Sequence, residues 1–277
     1  MTGQVLAWWV TGHWSWAVFW LIQCFGIFDQ LYIVYANDYA DRETDRENAT
    51  ATPFSGGSRV LVEGKLRAST LLKAAVAMAA GAVATTVVLG AIWGRWAAVP
   101  LGVVGLLLLW AYSFRPFRLS YRGGGELLQM IGVGGVLPLL GYYGQAGTFE
   151  GFPVWILATF MALNLSNAIT TALPDRPSDR LSEKRTVPVW AGGAAARWMV
   201  IGLHVLGLVA FVVWGQGAMG FEVWTWVLLG ACGVGVLGLA AMSAKARPGT
   251  PAIVAFVAIS IAINLGWMVS VMVTLVG

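Results

Sequence analysis

Asn37, Asp38, Asp41 and Asp45 place three carboxylates and an amide within nine residues, at the end of a long apolar run. If that run continues as a helix, Asp38, Asp41 and Asp45 fall at i, i+3 and i+7 and project from one face. Three negative charges stacked so closely repel one another, and a divalent cation removes the conflict. A second pair, Asp175 and Asp179, stands at i and i+4 and is followed by Lys184, Arg185 and Thr186. Hard oxygen donors of this kind suit Mg²⁺, which is held by one or two carboxylates together with phosphate oxygens of a substrate. Two acidic clusters with Lys and Arg beside them describe a site for a diphosphate. Upstream of Asp175, Asn164, Asn167 and Thr171 recur at helical spacing as a polar stripe inside an apolar segment, where such side chains face a cavity or the bundle interior.

The elements that position these groups are membrane helices. The chain of 277 residues is 58% hydrophobic and only 11% charged, against roughly 25% charged in a soluble domain. Apolar runs long enough to cross a bilayer lie near 12–36, 70–92, 96–113, 125–145, 152–173, 194–214, 223–242 and 251–275, each close to the ~20 residues a span requires. The expected fold is therefore all-α: a polytopic transmembrane bundle of eight spans, one domain over 1–277, capped by polar loops at 37–69, 112–125 and 174–193. Sixteen of the seventeen Lys and Arg flank those loops or the last one, and only Arg95 lies opposite. By the positive-inside rule the loop face is cytoplasmic. A multi-pass protein of a bacterial-type inner membrane with its site on the cytoplasmic side is expected. The net charge of +4 thus reports topology and implies no nucleic-acid partner.

Trp93, Trp96, Trp214, Trp224 and Trp226 cluster at the other face, as an interfacial belt does. No basic segment precedes the first apolar run, so no cleavable signal is expected and the chain reads as mature from Met1. Cys24 and Cys232 are isolated in apolar context and read as packing residues, and His13 and His204 as packing or interfacial ones. Glycines at 132, 134, 135, 230, 233 and 235 permit close helix packing. Asp29 lies inside the first span, where an ionisable group either serves the site or pairs with a neighbouring helix. The Ser55-Gly56-Gly57-Ser58 run lacks the Lys and helix of a phosphate loop and reads as a flexible lid.

On these residues the chain resembles the UbiA superfamily of intramembrane prenyltransferases. That family's N-D-x-x-D-x-x-x-D motif is matched by Asn37, Asp38, Asp41 and Asp45, and its D-x-x-x-D followed by K-x-T by Asp175, Asp179, Lys184 and Thr186. Between them, Tyr112-Ser113-Phe114-Arg115-Pro116 and Tyr121-Arg122-Gly123-Gly124-Gly125-Glu126 match the family's intermediate segment. The resemblance covers nearly the whole chain. It implies Mg²⁺-dependent transfer of a prenyl group from a polyprenyl diphosphate to an aromatic, quinone-precursor or other small lipophilic acceptor inside the bilayer. It further implies that Asn37, Asp41 and Asp45 carry one metal and Asp175 and Asp179 another, with Asp38 supporting the first. Lys184, Arg46 and Arg122 are then the candidates for diphosphate contact, with Arg118 and Arg59 weaker ones. Tyr112, Tyr35 and Tyr39 offer ring faces to an allylic cation, and Asn167 lines the substrate cavity.

Three departures from the family accompany the match. Members usually have nine spans, whereas the 36 residues ahead of Asn37 leave room for one span and a short stub. Arg115 stands where many relatives have proline, a basic residue often found a few positions after Tyr112 is displaced to Arg118, and Glu183 replaces a glycine common before the Lys. An intramembrane terpene cyclase would use the same aspartate, Mg²⁺ and diphosphate chemistry without an acceptor. A transporter is disfavoured, because the acids sit at the ends of spans and the halves show no repeat.

Overall fold

Inside hydrocarbon every backbone N–H and C=O must be satisfied within the protein, and helices do so segment by segment. The computed structural model describes residues 1–48, 52–53 and 57–276, and its regular structure among them is helical, with no strand. In chain order the helices are α1 (Thr2–Thr11), α2 (Trp16–Glu47), α3 (Ala68–Trp93), α4 (Ala98–Ser113), α5 (Leu119–Arg122), α6 (Gly125–Ile131), α7 (Leu137–Ala146), α8 (Trp155–Ala172), α9 (Arg176–Leu181), α10 (Val187–Trp190), α11 (Gly193–Met219), α12 (Val223–Met242) and α13 (Pro251–Val276). A π-helical turn, Gly132–Val136, carries α6 directly into α7.

Among the described residues six helical segments are long and apolar enough to cross a membrane: α2, α3, the continuous Gly125–Ala146, α11, α12 and α13. The remaining two of the eight expected spans coincide with α4, apolar but 16 residues long, and α8, 18 residues interrupted by Asn164, Ser166, Asn167, Thr170 and Thr171. Ahead of α2, the stub folds as the ten-residue α1. The chain is an integral membrane protein, with α2 reaching furthest. Its 32 residues extend about 48 Å, longer than a hydrocarbon core of about 30 Å.

The chain divides into two compact units. The first comprises Met1–Glu47, Gly57–Leu119 and Val136–Phe152. Here α2 packs along α3, α1 lies against α7, and α4 touches α2, α3 and α7. Val18, Ile22 and Phe25 of α2 meet Ala82 and Leu89 of α3, Ala98 of α4, and Leu140 and Tyr143 of α7. Asp29, buried to 6% exposure, continues that stripe towards Ala36, and two residues later the buried face changes to Asp38, Asp41 and Asp45. α3 stops at Gly94, whose φ of 69° lets its N–H return to Gly90 and Leu89. Of the expected tryptophan belt in this unit, Trp96 is exposed whereas Trp93 packs against the core.

The second unit comprises Asn48–Gly56, Ser120–Gly135 and Pro153–Gly277. α8 packs along α11, α12 along α13, and α6 against α8. Its core joins Ile169 and Leu173 to Val200, Leu239, Phe256 and Ile263. At Gly134 a Cβ would stand 3.0 Å from the backbone of Phe160 and Met161, so this glycine sets the approach of its helix to α8. Gly235 does the same against Ile263, but Gly230 and Gly233 have no atom within 4 Å of a Cβ position and do not serve close packing. Cys24 is likewise corrected: it is exposed, unlike the buried Cys232.

A polar knot ties three helices of this unit together. Ser166 Oγ of α8 lies 2.7 Å from His204 Nδ1 of α11, Ser260 Oγ of α13 lies 3.4 Å from His204 Nε2, and Thr170 Oγ1 lies 3.0 Å from Ser260 Oγ. All four residues are fully buried. The knot fixes which face of α8 turns inward, leaving Asn164, Asn167 and Thr171 on another. Interhelical hydrogen bonds in membranes average roughly 0.6 kcal/mol each, and truncating a buried ring adds a cavity cost. His204→Ala is expected to lower the stability of the detergent-solubilised protein by about 2 kcal/mol, read as a fall in Tm; an unchanged Tm would contradict this role.

Candidate active site

The acidic motif of the first unit is helical throughout, as its spacing requires: α2 runs to Glu47 and holds Asp38, Asp41 and Asp45 at 6%, 3% and 9% exposure. Carboxylates are almost never buried without partners. For Asp38 the partners come from the chain that follows α2. Ser58 N–H donates to both oxygens of Asp38 at 3.2 and 3.3 Å, and the Ser58 hydroxyl donates to Oδ2 as well. Gly57, with φ of 68°, brings its backbone so close that a Cβ there would stand 2.6 Å from Asp45 Oδ2 and 2.9 Å from Asp38 Oδ1. Arg59 Nη1 donates to the Asp45 carbonyl at 3.4 Å. Half-buried Asn37 accepts from Ser113 Oγ of α4 at 3.3 Å.

Gly57 and Ser58 are thus contacts that sequence reasoning read as part of a lid; Ser55 and Gly56 of that run lie outside the described residues. The available signal was the Gly-Ser pair itself, which supplies a positive φ and a hydroxyl donor. Tyr39 stacks with Phe114 at 6.4 Å and carries Arg42 over its ring at 4.8 Å, so its face is already occupied by a cation of the protein. Tyr35 and Tyr112 are half-buried in α2 and α4, and Arg46 is exposed in the last turn of α2, where its charge also complements the helix terminus. Arg118 takes a positive φ of 45° just after α4.

In the second unit Asp175 is the residue before α9, and Asp179 is one turn into it. Asn48 Nδ2 donates to Asp175 Oδ1 at 2.9 Å. Asp179, 4% exposed, accepts from Thr186 Oγ1 at 3.1 Å and lies 3.8 Å from Lys184 Nζ. The Lys184 ammonium also stands 5.3 Å from the centre of the Tyr121 ring. Lys184 opens onto a partly open cleft of about 650 Å³ lined by Tyr121, Arg122, Arg180, Glu183, Arg185 and Val189. Two of the expected anion contacts, Arg122 and Lys184, therefore share one cavity, and Arg180 and Arg185 join them. Glu183, where relatives often have glycine, adopts φ of 61°, the conformation a glycine takes without strain. On α8, the Asn164 amide turns back to the Phe160 carbonyl at 2.7 Å and Thr171 back to Asn167, leaving the half-buried Asn167 amide as the polar group of that stripe not committed to its own helix.

Glu126 is a further residue whose part was not read from sequence, although it closes a motif. Buried at the start of α6, it accepts the Val187 N–H at 2.6 Å and so anchors the strand of chain from Lys184 to Thr186. Among the described residues no three His, Cys, Asp or Glu side chains gather tightly enough to hold an ion unaided. The donors are nonetheless all hard oxygens, and Mg²⁺ characteristically completes its shell with phosphate and water.

The chain belongs to the UbiA prenyltransferase family, matched over residues 1–262. No curated protein matches the sequence. Among solved structures, a UbiA homologue from Aeropyrum pernix K1 has a TM-score of 0.71 at 19% identity, with 97% of each chain covered. A digeranylgeranylglyceryl phosphate synthase has a TM-score of 0.65 at 17% identity over 99% of this chain and 92% of its own. A UbiA homologue from Archaeoglobus fulgidus, bound to DMAPP and Mg²⁺, has 0.65 at 15% over 99% and 93%. At such identities the likeness is one of fold.

Removing the Glu126 acceptor leaves the buried Val187 N–H unsatisfied, at a cost of about 1–3 kcal/mol. Glu126→Ala is expected to lower the unfolding midpoint, whereas Glu126→Gln, which still accepts, retains most of it. Equal stability of the two variants, measured by thermal unfolding in detergent, would contradict the anchoring role.

Proposed function

We propose that this protein transfers a prenyl group from a polyprenyl diphosphate to a small lipophilic acceptor, aromatic or quinone-precursor in type, with Mg²⁺ as cofactor. Two observations carry this reading: within a chain of the UbiA family, Asp38, Asp41 and Asp45 are buried on one helix face of the first unit, and a cleft of the second unit gathers Arg122 and Lys184. Structural relatives bound to DMAPP or GPP with Mg²⁺ support it.

In this proposal Asn37, Asp41 and Asp45 hold one Mg²⁺ and Asp175 and Asp179 a second. When bound, the ions neutralise the charge that gathers on the diphosphate as it leaves. Asp38, fixed by Ser58, keeps the end of α2 and the following chain in register. Lys184 and Arg122, with Arg46 and Arg118, bind the phosphate oxygens and hold them while the allylic C–O bond breaks and its electron pair departs with the diphosphate. Tyr112, Tyr35 and the amide of Asn167 line the path of the prenyl chain. A nucleophilic carbon of the acceptor then forms the new bond and gives up its proton. The loop face that carries nearly all of the basic residues is the cytoplasmic one.

Asp41→Ala and Asp175→Ala are each expected to lower turnover of geranylgeranyl diphosphate at least ~1000-fold while leaving membrane insertion intact, since each removes a ligand that acts only with the departing charge. Activity is read as Mg²⁺-dependent diphosphate release in the presence of a phenolic or naphthoic acceptor. Turnover near wild type in either variant would overturn the metal assignment. A cyclic hydrocarbon formed without acceptor would replace transfer with cyclisation on the same site. Gly57→Ala, which sets a methyl against Asp38 and Asp45 in a strained conformation, is expected to cut kcat about tenfold or more; unchanged kcat would show that Gly57 does not shape the carboxylate face.

A further inference from the structure

Two arginines from separate segments of the second unit meet at the start of α11, and a third, Arg247, follows Ala246, which shares a core cluster with Ala196 of that helix. Arg176 opens α9, Arg197 stands in the second turn of α11, and Arg247 lies between α12 and α13. The Arg197 guanidinium is desolvated by burial and repelled by those of Arg247 and Arg176. Among the described residues no carboxylate forms an ion pair with any of the three. Arg197 is only 9% exposed, and its buried Nε has no hydrogen-bond partner. Arg176 directs its Nε to the Pro188 carbonyl at 2.8 Å, which fixes its remaining nitrogens at the start of α11. A Cβ on Gly193 would stand 3.4 Å from Arg197 Nη1 and 3.7 Å from Arg176 Nη1. Two guanidinium ends therefore converge on the first residue of a 27-residue helix, whose leading N–H groups and macrodipole are themselves positive.

Each of these features is unfavourable alone. A buried guanidinium without a counter-charge costs several kcal/mol, and two like charges beside it add to that. One anion resolves all of them. Planar guanidinium forks with helix N–H groups match a tetrahedral oxyanion in shape as well as charge. The setting fits a phosphate at the bilayer surface: Trp190 and Trp198, 64% and 57% exposed, flank the cluster as residues of the headgroup layer do.

We propose that Arg176, Arg197 and Arg247, with the N-terminus of α11, form a binding site for a phosphoryl oxyanion. The ligand is the headgroup phosphate of an anionic phospholipid or a free phosphate from the aqueous side. This site stands on residues of the second unit that the prenyl-transfer reading does not use.

The test is thermal unfolding of the full chain in uncharged detergent, titrated separately with phosphatidylglycerol, phosphatidylcholine and inorganic phosphate. The wild type is expected to gain stability from phosphatidylglycerol or from phosphate, and not from phosphatidylcholine. Stabilisation by the lipid alone identifies the headgroup as ligand, and stabilisation by phosphate the soluble ion. In Arg247→Gln, an exposed position whose change leaves the fold undisturbed, the half-effect concentration is expected to rise about tenfold, as loss of one charge-assisted contact implies. Arg197→Gln is expected to shift it at least as far. The proposal is overturned if wild type and Arg247→Gln titrate alike, or if the wild type responds to neither anionic ligand.

Discussion

The structure depends on keeping carboxylates out of water at the end of a membrane helix. Burying a carboxylate without partners is costly enough that a side chain would sooner neutralise or turn outward. Asp38, Asp41 and Asp45 do not turn outward: α2 presents all three on one buried face, past the point where its apolar stripe ends. Much of the local architecture follows from that. The chain after α2 places Gly57 and Ser58 against the carboxylates because only a residue without Cβ fits beside Asp45 and a hydroxyl neighbour supplies donors to Asp38. In the proposed reading Mg²⁺ would join the protein contacts at Asp41 and Asp45.

The second unit meets the same problem with different means. Asp179 is answered by the chain's own Lys184 and Thr186, and that segment is in turn pinned by Glu126 through the Val187 amide. The cleft alongside is correspondingly basic, with Arg122, Arg180 and Arg185 beside Lys184. The family's way of pairing an acidic motif with a Lys-x-Thr tail is thus a local charge balance. Within α8 the division of labour is by face: Ser166 and Thr170 tie the helix to its neighbours through His204 and Ser260, while the half-buried Asn167 lies on another face.

What could be read from the sequence was what has a period. The i, i+3, i+7 spacing of Asp38, Asp41 and Asp45 identified a helical face because side chains on one face of a helix can recur only at such intervals. Apolar runs located the helices, and all eight coincide with helical segments; among the described residues six are long and apolar enough to cross a membrane, while the polar residues of α8 and the shortness of α4 leave those two outside that set. Contacts between distant segments left no periodic trace. Nothing in the spacing announced that Ser58 would bond Asp38, that Glu126 would hold Val187, or that isolated His204 would sit at the centre of a three-helix knot. Such pairings depend on how loops return, which sequence pattern does not encode. The glycines divide in the same way: Gly134 and Gly235 do lie at close approaches, whereas Gly230 and Gly233 face open space.

The most direct test of the central claim is a crystal structure of the full chain with Mn²⁺ in place of Mg²⁺ and an unreactive thiolo analogue of a prenyl diphosphate, located by the metal's anomalous signal. Anomalous peaks bridging the analogue's phosphates to the carboxylates of Asp41 and Asp45 and to those of Asp175 and Asp179 are the expected result. Metal bound elsewhere, or an analogue seated with neither carboxylate set ligated through an ion, would contradict the account.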